Sequence, residues 1–225
     1  MLRRPSQWFF LALWIAGLAW ALFRMFNAEN PALDTEVNNR LMDSLFVFTA
    51  PKVDWSLLAF FNAMGLWSFT IFFLLLAQPH PRGFFVTKLI FFAVSMVAGS
   101  FAFLPYLITQ SQKAPPKPLA KGIKDFAHSP LPAVVLLLLL GVLVTMTLWK
   151  GHLFILGGLI QDVTFVQVMA TDFVLYWIIS VVLVWQDGVA RTGRPSRLSA
   201  LALVPLAGAL AYLLTVNLRP PKITA

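Results

Sequence analysis

The sequence predicts an all-α, polytopic membrane protein: a bundle of about six transmembrane helices, plus a short amphipathic helix lying in the interface. Three observations predict it. Of 225 residues, 59% are hydrophobic and only 12% are charged, against about 25% charged in a soluble domain. Mean hydropathy is +0.80. The apolar runs are long enough, at ~1.5 Å per residue, to cross a ~30 Å hydrocarbon layer.

The first run, 7–26, follows Arg3-Arg4 and carries Trp8, Trp14 and Trp20, rings suited to the headgroup level. Ala19-Trp20-Ala21 fits a signal-cleavage pattern, but the run is longer than a signal core, so it is read as a retained first helix. Residues 27–54 lean acidic. There Leu33, Val37, Leu41, Met42, Leu45 and Phe46 recur at helical spacing, which predicts the interfacial helix, with Asn38-Asn39 as a polar contact point or a solvated face. The second span, 55–77, holds one strongly polar interior residue, Asn62. These two helices form an N-terminal extension, 1–77, on a four-helix core, 85–217.

The turn at Gln78-Pro79-His80-Pro81-Arg82-Gly83 leads to a third span, 85–109. Its small residues, Ala93, Ser95, Ala98, Gly99 and Ser100, permit close backbone approach, and Pro105 implies a kink. Lys113, Lys117, Lys121 and Lys124 with three prolines then read as a semi-extended basic strap over 110–130. The fourth span, 131–149, is nearly pure hydrocarbon and is expected to face lipid. Gly157-Gly158 loosens the link into the fifth.

The fifth span, 164–186, is expected to be capped by Asp162. It places Asp172 about a third of the way along, with Thr164, Tyr176 and Ser180 on the same face. A carboxylate at that depth costs at least ~2.5–3.5 kcal/mol, so it is expected to face the bundle interior. Two roles stay open. As a structural acid it would bond Asn62, a serine of the third span or the backbone. As a functional one it would act with Tyr176 as an acid or base. Asp187 and Arg191, one turn apart, predict a local salt bridge closing the loop. The sixth span, 198–217, contains Pro205 and Gly208.

Composition narrows the chemistry. With no cysteine and three histidines, His80, His128 and His152, no metal-ligand spacing occurs, and no metal site is predicted. A phosphate loop and a GxSxG elbow are both missing. No internal sequence repeat of the transporter kind is recognisable. The net charge of +8 sits in short loops and suits anionic lipid rather than nucleic acid. His152 is the histidine placed to ligate a chlorophyll or haem; Asn62 reads as interhelical glue or a ligand, and Trp177 and Trp185 as packing and interface residues or pigment contacts. Counting Lys and Arg on six spans puts seven beside the termini and ten on the other side, which leaves orientation open.

The run Phe165-Val-Gln-Val-Met-Ala-Thr-Asp-Phe173, followed by Trp185-Gln-Asp-Gly-Val-Ala-Arg-Thr-Gly193, resembles a family of multi-spanning membrane proteins of cyanobacteria and plastids. Leu104-Pro105-Tyr106 and the Pro205–Gly208 segment are also similar, so the resemblance covers roughly 90–215. It is similar, more remotely, to the plastid membrane protein of neoxanthin synthesis. The chain departs from the family pattern in its Trp185-Gln186 pair and its N-terminal extension. The resemblance implies a thylakoid or cyanobacterial inner membrane and carotenoid or chlorophyll as cofactor. It also implies a photosystem accessory or assembly subunit within a larger membrane complex. The alternatives are an enzyme acting on a carotenoid or other isoprenoid, and a small-solute transporter.

Overall fold

The computed structural model describes residues 5–46, 52–78, 84–109, 119–193 and 196–218, and every regular element among them is helical. They are α1 (Pro5–Phe26), α2 (Pro31–Phe46), α3 (Trp55–Leu76), α4 (Phe85–Ala98), α5 (Ser100–Thr109), α6 (Lys121–Ala127), α7 (Leu131–Lys150), α8 (Leu153–Asp162) and α9 (Thr164–Thr192). A 3₁₀ segment (Arg197–Leu203) and α10 (Ala207–Leu218) follow. The turn around His80, residues 110–118 of the basic strap and the segment after Leu218 lie outside the described residues.

Four helices, α1, α3, α7 and α9, are long and apolar enough to cross a membrane. The third and sixth expected spans are not single helices. Phe85–Thr109 breaks at Gly99, whose φ of +62° ends α4 before Ser100 starts α5. In the sixth, the chain turns over Val204–Leu206, with Leu206 at φ +55°, between the 3₁₀ segment and α10.

Both pieces fold back on themselves. Lys88 Nζ donates to the Leu75 carbonyl (3.0 Å), so α4 starts beside the end of α3 and runs inward along it. Past Gly99, α5 returns to the same end, where Gln7 of α1 donates to the Ile108 carbonyl (3.0 Å). The two arms lie side by side, with the Phe91 and Tyr106 rings 5.3 Å apart. The second piece repeats this course. The Ser199 hydroxyl donates to the Val184 carbonyl (3.4 Å) and Trp177 Nε1 to the Ala202 carbonyl (3.1 Å), which track the 3₁₀ segment inward along α9. Then α10 runs back out, with Tyr212 bonded to Asp187 (2.6 Å) and Asn217 to the carbonyls of Ala127 and Ser129.

The chain is therefore a structural duplication. A long helix, a helix capping the bundle end, a second long helix and a folded-back pair occur as α1–α5 and again as α7–α10. Packing obeys the same symmetry. Helix α1 packs on α9 as α7 packs on α3; α1 packs on α5 as α7 packs on α10; and α3 packs on α4 as α9 packs on the 3₁₀ segment. The axis passes between α3 and α9, where the Trp67 and Tyr176 rings stack at 6.2 Å and 2°. A sequence echo survives in Tyr106-Leu-Ile-Thr109 and Tyr212-Leu-Leu-Thr215.

Several local expectations change. Asp162 does not cap α9: it is the last residue of α8, and Val163 takes the cap position without a side-chain bond. The α9 N-terminus instead meets Asp34, whose Oδ1 accepts from the Phe165 amide (3.4 Å). Gly157-Gly158 lies inside α8 rather than in a loose link, and residues 121–127 of the strap are helical. In α2, Leu33, Val37 and Leu41 cover the first turns of α3 and α9, packing on Leu57, Val163 and Val166. Helix α7 leaves Leu138, Val142 and Trp149 exposed.

Candidate functional site

Asp172 lies eight residues into α9, level with the break between α4 and α5. The first amides of any helix lack intrahelical partners, and a carboxylate there gains from both hydrogen bonding and the helix dipole. Asp172 supplies it from another helix. Its Oδ1 accepts from the Ser100 amide at 2.7 Å and from the Ser100 hydroxyl. Gly99 makes this possible, because a Cβ there would land on the carboxylate itself. Of the partners the sequence left open, the serine of the third span and the backbone are chosen. Asn62 instead turns Nδ2 to its own helix, at the Leu58 carbonyl (2.8 Å).

One turn on, the Tyr176 hydroxyl meets Ser68 Oγ at 2.6 Å. Both hydroxyls also reach the Ser95 carbonyl, at 3.4 Å from Ser68 and 3.5 Å from Tyr176. The Ser95 hydroxyl is bonded to the Phe92 carbonyl (2.6 Å). Thr164, Asp172, Tyr176 and Ser180 are all buried on one face of α9, as the spacing predicts.

These groups line a cavity of about 450 Å³ at the junction of the two repeats. Apolar residues such as Leu18, Phe61, Met64, Val168 and Met169 form most of its wall. Leu22, Met25, Met96 and Val97 also line it and are themselves exposed, so the cavity opens sideways between α1 and α4. Its hydroxyl donors are spent within the protein. Asp172 Oδ2 accepts no hydrogen bond from a described residue, so it is the strongest hydrogen-bonding atom left to an occupant.

Of the pigment-contact residues, only Asn62 lies here. His152 is at the junction of α7 and α8, where its Nδ1 meets Oδ2 of Asp54, the cap of α3 (2.8 Å). Burial works to raise the Asp54 carboxyl. Hydrogen bonds from the His152 ring and from the Ser56 and His152 amides outweigh it, so the carboxyl is held below its ordinary value. Trp177 is tied to the second folded-back pair, and Trp185 is half-exposed on the outer surface of α9. Among the described residues no three His, Cys, Asp or Glu side chains group to hold a metal ion.

A second buried cluster ties the far end together. Asp187 Oδ2 accepts from Arg191 Nε and from the Tyr212 hydroxyl, both at 2.6 Å, and Arg191 Nη2 donates to the Ala77 carbonyl. The predicted salt bridge is present, but it lies inside α9, which runs on to Thr192 and ends at left-handed Gly193. Its reach is to α3 and α10 rather than across a loop. Sequence reasoning offered a serine of the third span without choosing Ser100, and it passed over Ser68, Tyr212 and the buried Lys88. For Ser100 a signal existed in the Gly99-Ser100 pair, a helix-breaking residue followed by a capping one.

No family model, curated protein or solved structure matches this chain.

Proposed function

We propose that this integral membrane protein is a non-catalytic binding subunit that holds a lipid-soluble, polar-tipped molecule in the cavity beside Asp172. The observation that carries the reading is the cavity's make-up: apolar walls, a sideways mouth between α1 and α4, and one unpaired carboxylate oxygen. Pockets for small ligands combine these features, apolar lining with few convergent polar groups. In the photosynthetic membrane that the family resemblance implies, the occupant is a carotenoid, a chlorophyll or another isoprenoid, and the partner is a larger membrane complex. The membrane topology that goes with it has four crossings and two re-entrant pairs, with α2 and α8 lying in one interface.

Gly65 supplies the test. It lines the cavity, and a Cβ there would touch only Met96, at 3.7 Å. Leucine in its place is expected to project into the cavity and fill it, with retained helicity and thermal midpoint as the check on the fold. Protein purified in mild detergent is extracted and analysed by absorbance and mass spectrometry. Wild type yields a bound lipid-soluble compound, whereas Gly65→Leu yields none. Equal yields from both would refute the reading.

A carrier is the second reading, favoured by the duplicated halves and by broken helices at their junction. Both folded-back pairs enter from the same bundle end, so the repeat is parallel rather than inverted. Uptake of a solute into proteoliposomes, abolished by Gly65→Leu, would replace the binding-subunit reading.

A further inference from the structure

A groove of about 480 Å³ lies between α2 and the start of α9, and it meets the cavity at Met25, Phe165 and Val168, which line both. Three polar side chains on its wall have hydrogen-bonding capacity to spare. Asp34 uses one oxygen on the Phe165 amide and leaves the other. The Asn38 amide and the Thr164 hydroxyl bond to no described residue, although Thr164 is 95% buried, with 5% relative exposure. Both open onto the groove, where an occupant's hydroxyls can reach them. A carboxylate, a carboxamide and a hydroxyl together match a head that presents several hydroxyls. Among the described residues no cation lines the groove, and Arg24, next to Met25 in the chain, is engaged by Gln167 and by Glu29.

From this we infer that groove and cavity are one elongated site, taking a lipid whose uncharged, hydroxyl-rich head sits against Asp34, Asn38 and Thr164 and whose apolar chain enters the cavity. The inference rests on the binding reading above, adds the class of head, and moves the occupant's polar contact from Asp172 to the groove. An anionic head is disfavoured, because Asp34 would face it with no compensating charge.

The test is native mass spectrometry of the full chain in detergent, titrated with monogalactosyl diacylglycerol, with phosphatidylglycerol of the same acyl chains, and with free galactose. The galactolipid is expected to bind well before phosphatidylglycerol, and galactose not at all. Asn38→Ala and Thr164→Val each weaken galactolipid binding about fivefold, the loss of one hydrogen bond. Thr164→Ser restores it, and Asp34→Asn admits phosphatidylglycerol. Equal binding of the two lipids, binding of galactose alone, or unchanged affinity in Asn38→Ala and Thr164→Val overturns the inference. If those two variants are silent while Gly65→Leu empties the cavity, the head assignment fails and the binding reading stands. If Gly65→Leu is silent while they are not, the binding reading fails.

Discussion

At the residue scale, Asp172 and Gly99 form a pair that neither could form alone. Gly99 has a backbone conformation that costs another residue about 1–3 kcal/mol, and the space its side chain would need is held by the carboxylate. Gly99→Ala is therefore expected to lower the thermal midpoint and to displace Asp172, at a cost of roughly 2–4 kcal/mol from strain and overpacking together. Asp172→Asn separates capping from chemistry. An amide oxygen still accepts from Ser100, so folding is kept, while the ionisable acid and its free acceptor are lost. If Asp172 were an acid or base, the variant would fold and abolish turnover of an isoprenoid substrate. In the binding reading it folds and loses affinity for a donor-tipped ligand only. Asp54 gives a pH dependence outside the spanning segments. Its carboxyl is held below the ordinary 3.8, so the folded state binds that proton less readily than the unfolded chain. The stabilisation is complete above that ordinary value and is lost as pH falls through the lower folded one. The Asp54→Asn chain should be less stable than wild type at neutral pH, with the gap in melting temperature closing under acid.

The folded-back pairs are the elements that sequence periodicity misreads. A 25-residue apolar run at 85–109 has the length of a span. Hydropathy does not distinguish one rod from two arms of 14 and 10 residues. The four uninterrupted helices were readable because length and composition settle them. So was the buried face of α9, because Asp172, Tyr176 and Ser180 follow helical spacing. What turns 85–109 back is tertiary: a glycine with the Asp172 carboxylate of α9 lying over it. The cavity was hidden for the same reason, since α1, α3, α4 and α9 each contribute part of it. The second pair is held at its outer arm by Tyr212 on Asp187. Tyr212→Phe removes a hydrogen bond to a charged group in a buried site where Asp187 Oδ1 already has no partner among the described residues. The expected loss is about 1.5–3 kcal/mol, read as a lower melting temperature and as faster proteolysis near α10.

For the whole molecule, turning two expected spans into folded-back pairs also changes which loops share a face. On six crossings the segments 24–54 and 110–130 lie on the same side, and the Lys and Arg counts nearly balance. On four crossings they lie on opposite sides. Of 17 Lys and Arg, only Arg24, Arg40, Lys52 and Lys150 then belong to the end capped by α2 and α8. The remaining thirteen lie, in sequence, before, within, between or after elements whose described ends are at the opposite end. Six of nine acids, Glu29, Asp34, Glu36, Asp43, Asp54 and Asp162, collect at the α2 end. The positive-inside rule, indecisive for six spans, has a clear sign for four: it predicts that the end admitting both folded-back pairs is the cytoplasmic one. The absence of cysteine makes this easy to test, since each introduced thiol is the sole target. Asn39→Cys on α2 and Lys124→Cys on α6 replace exposed residues. With the protein in the plasma membrane of intact bacterial spheroplasts, a membrane-impermeant maleimide should label Asn39→Cys at once and Lys124→Cys only after permeabilisation. Labelling of both from one side would restore six crossings, and labelling in the reverse order would invert the orientation.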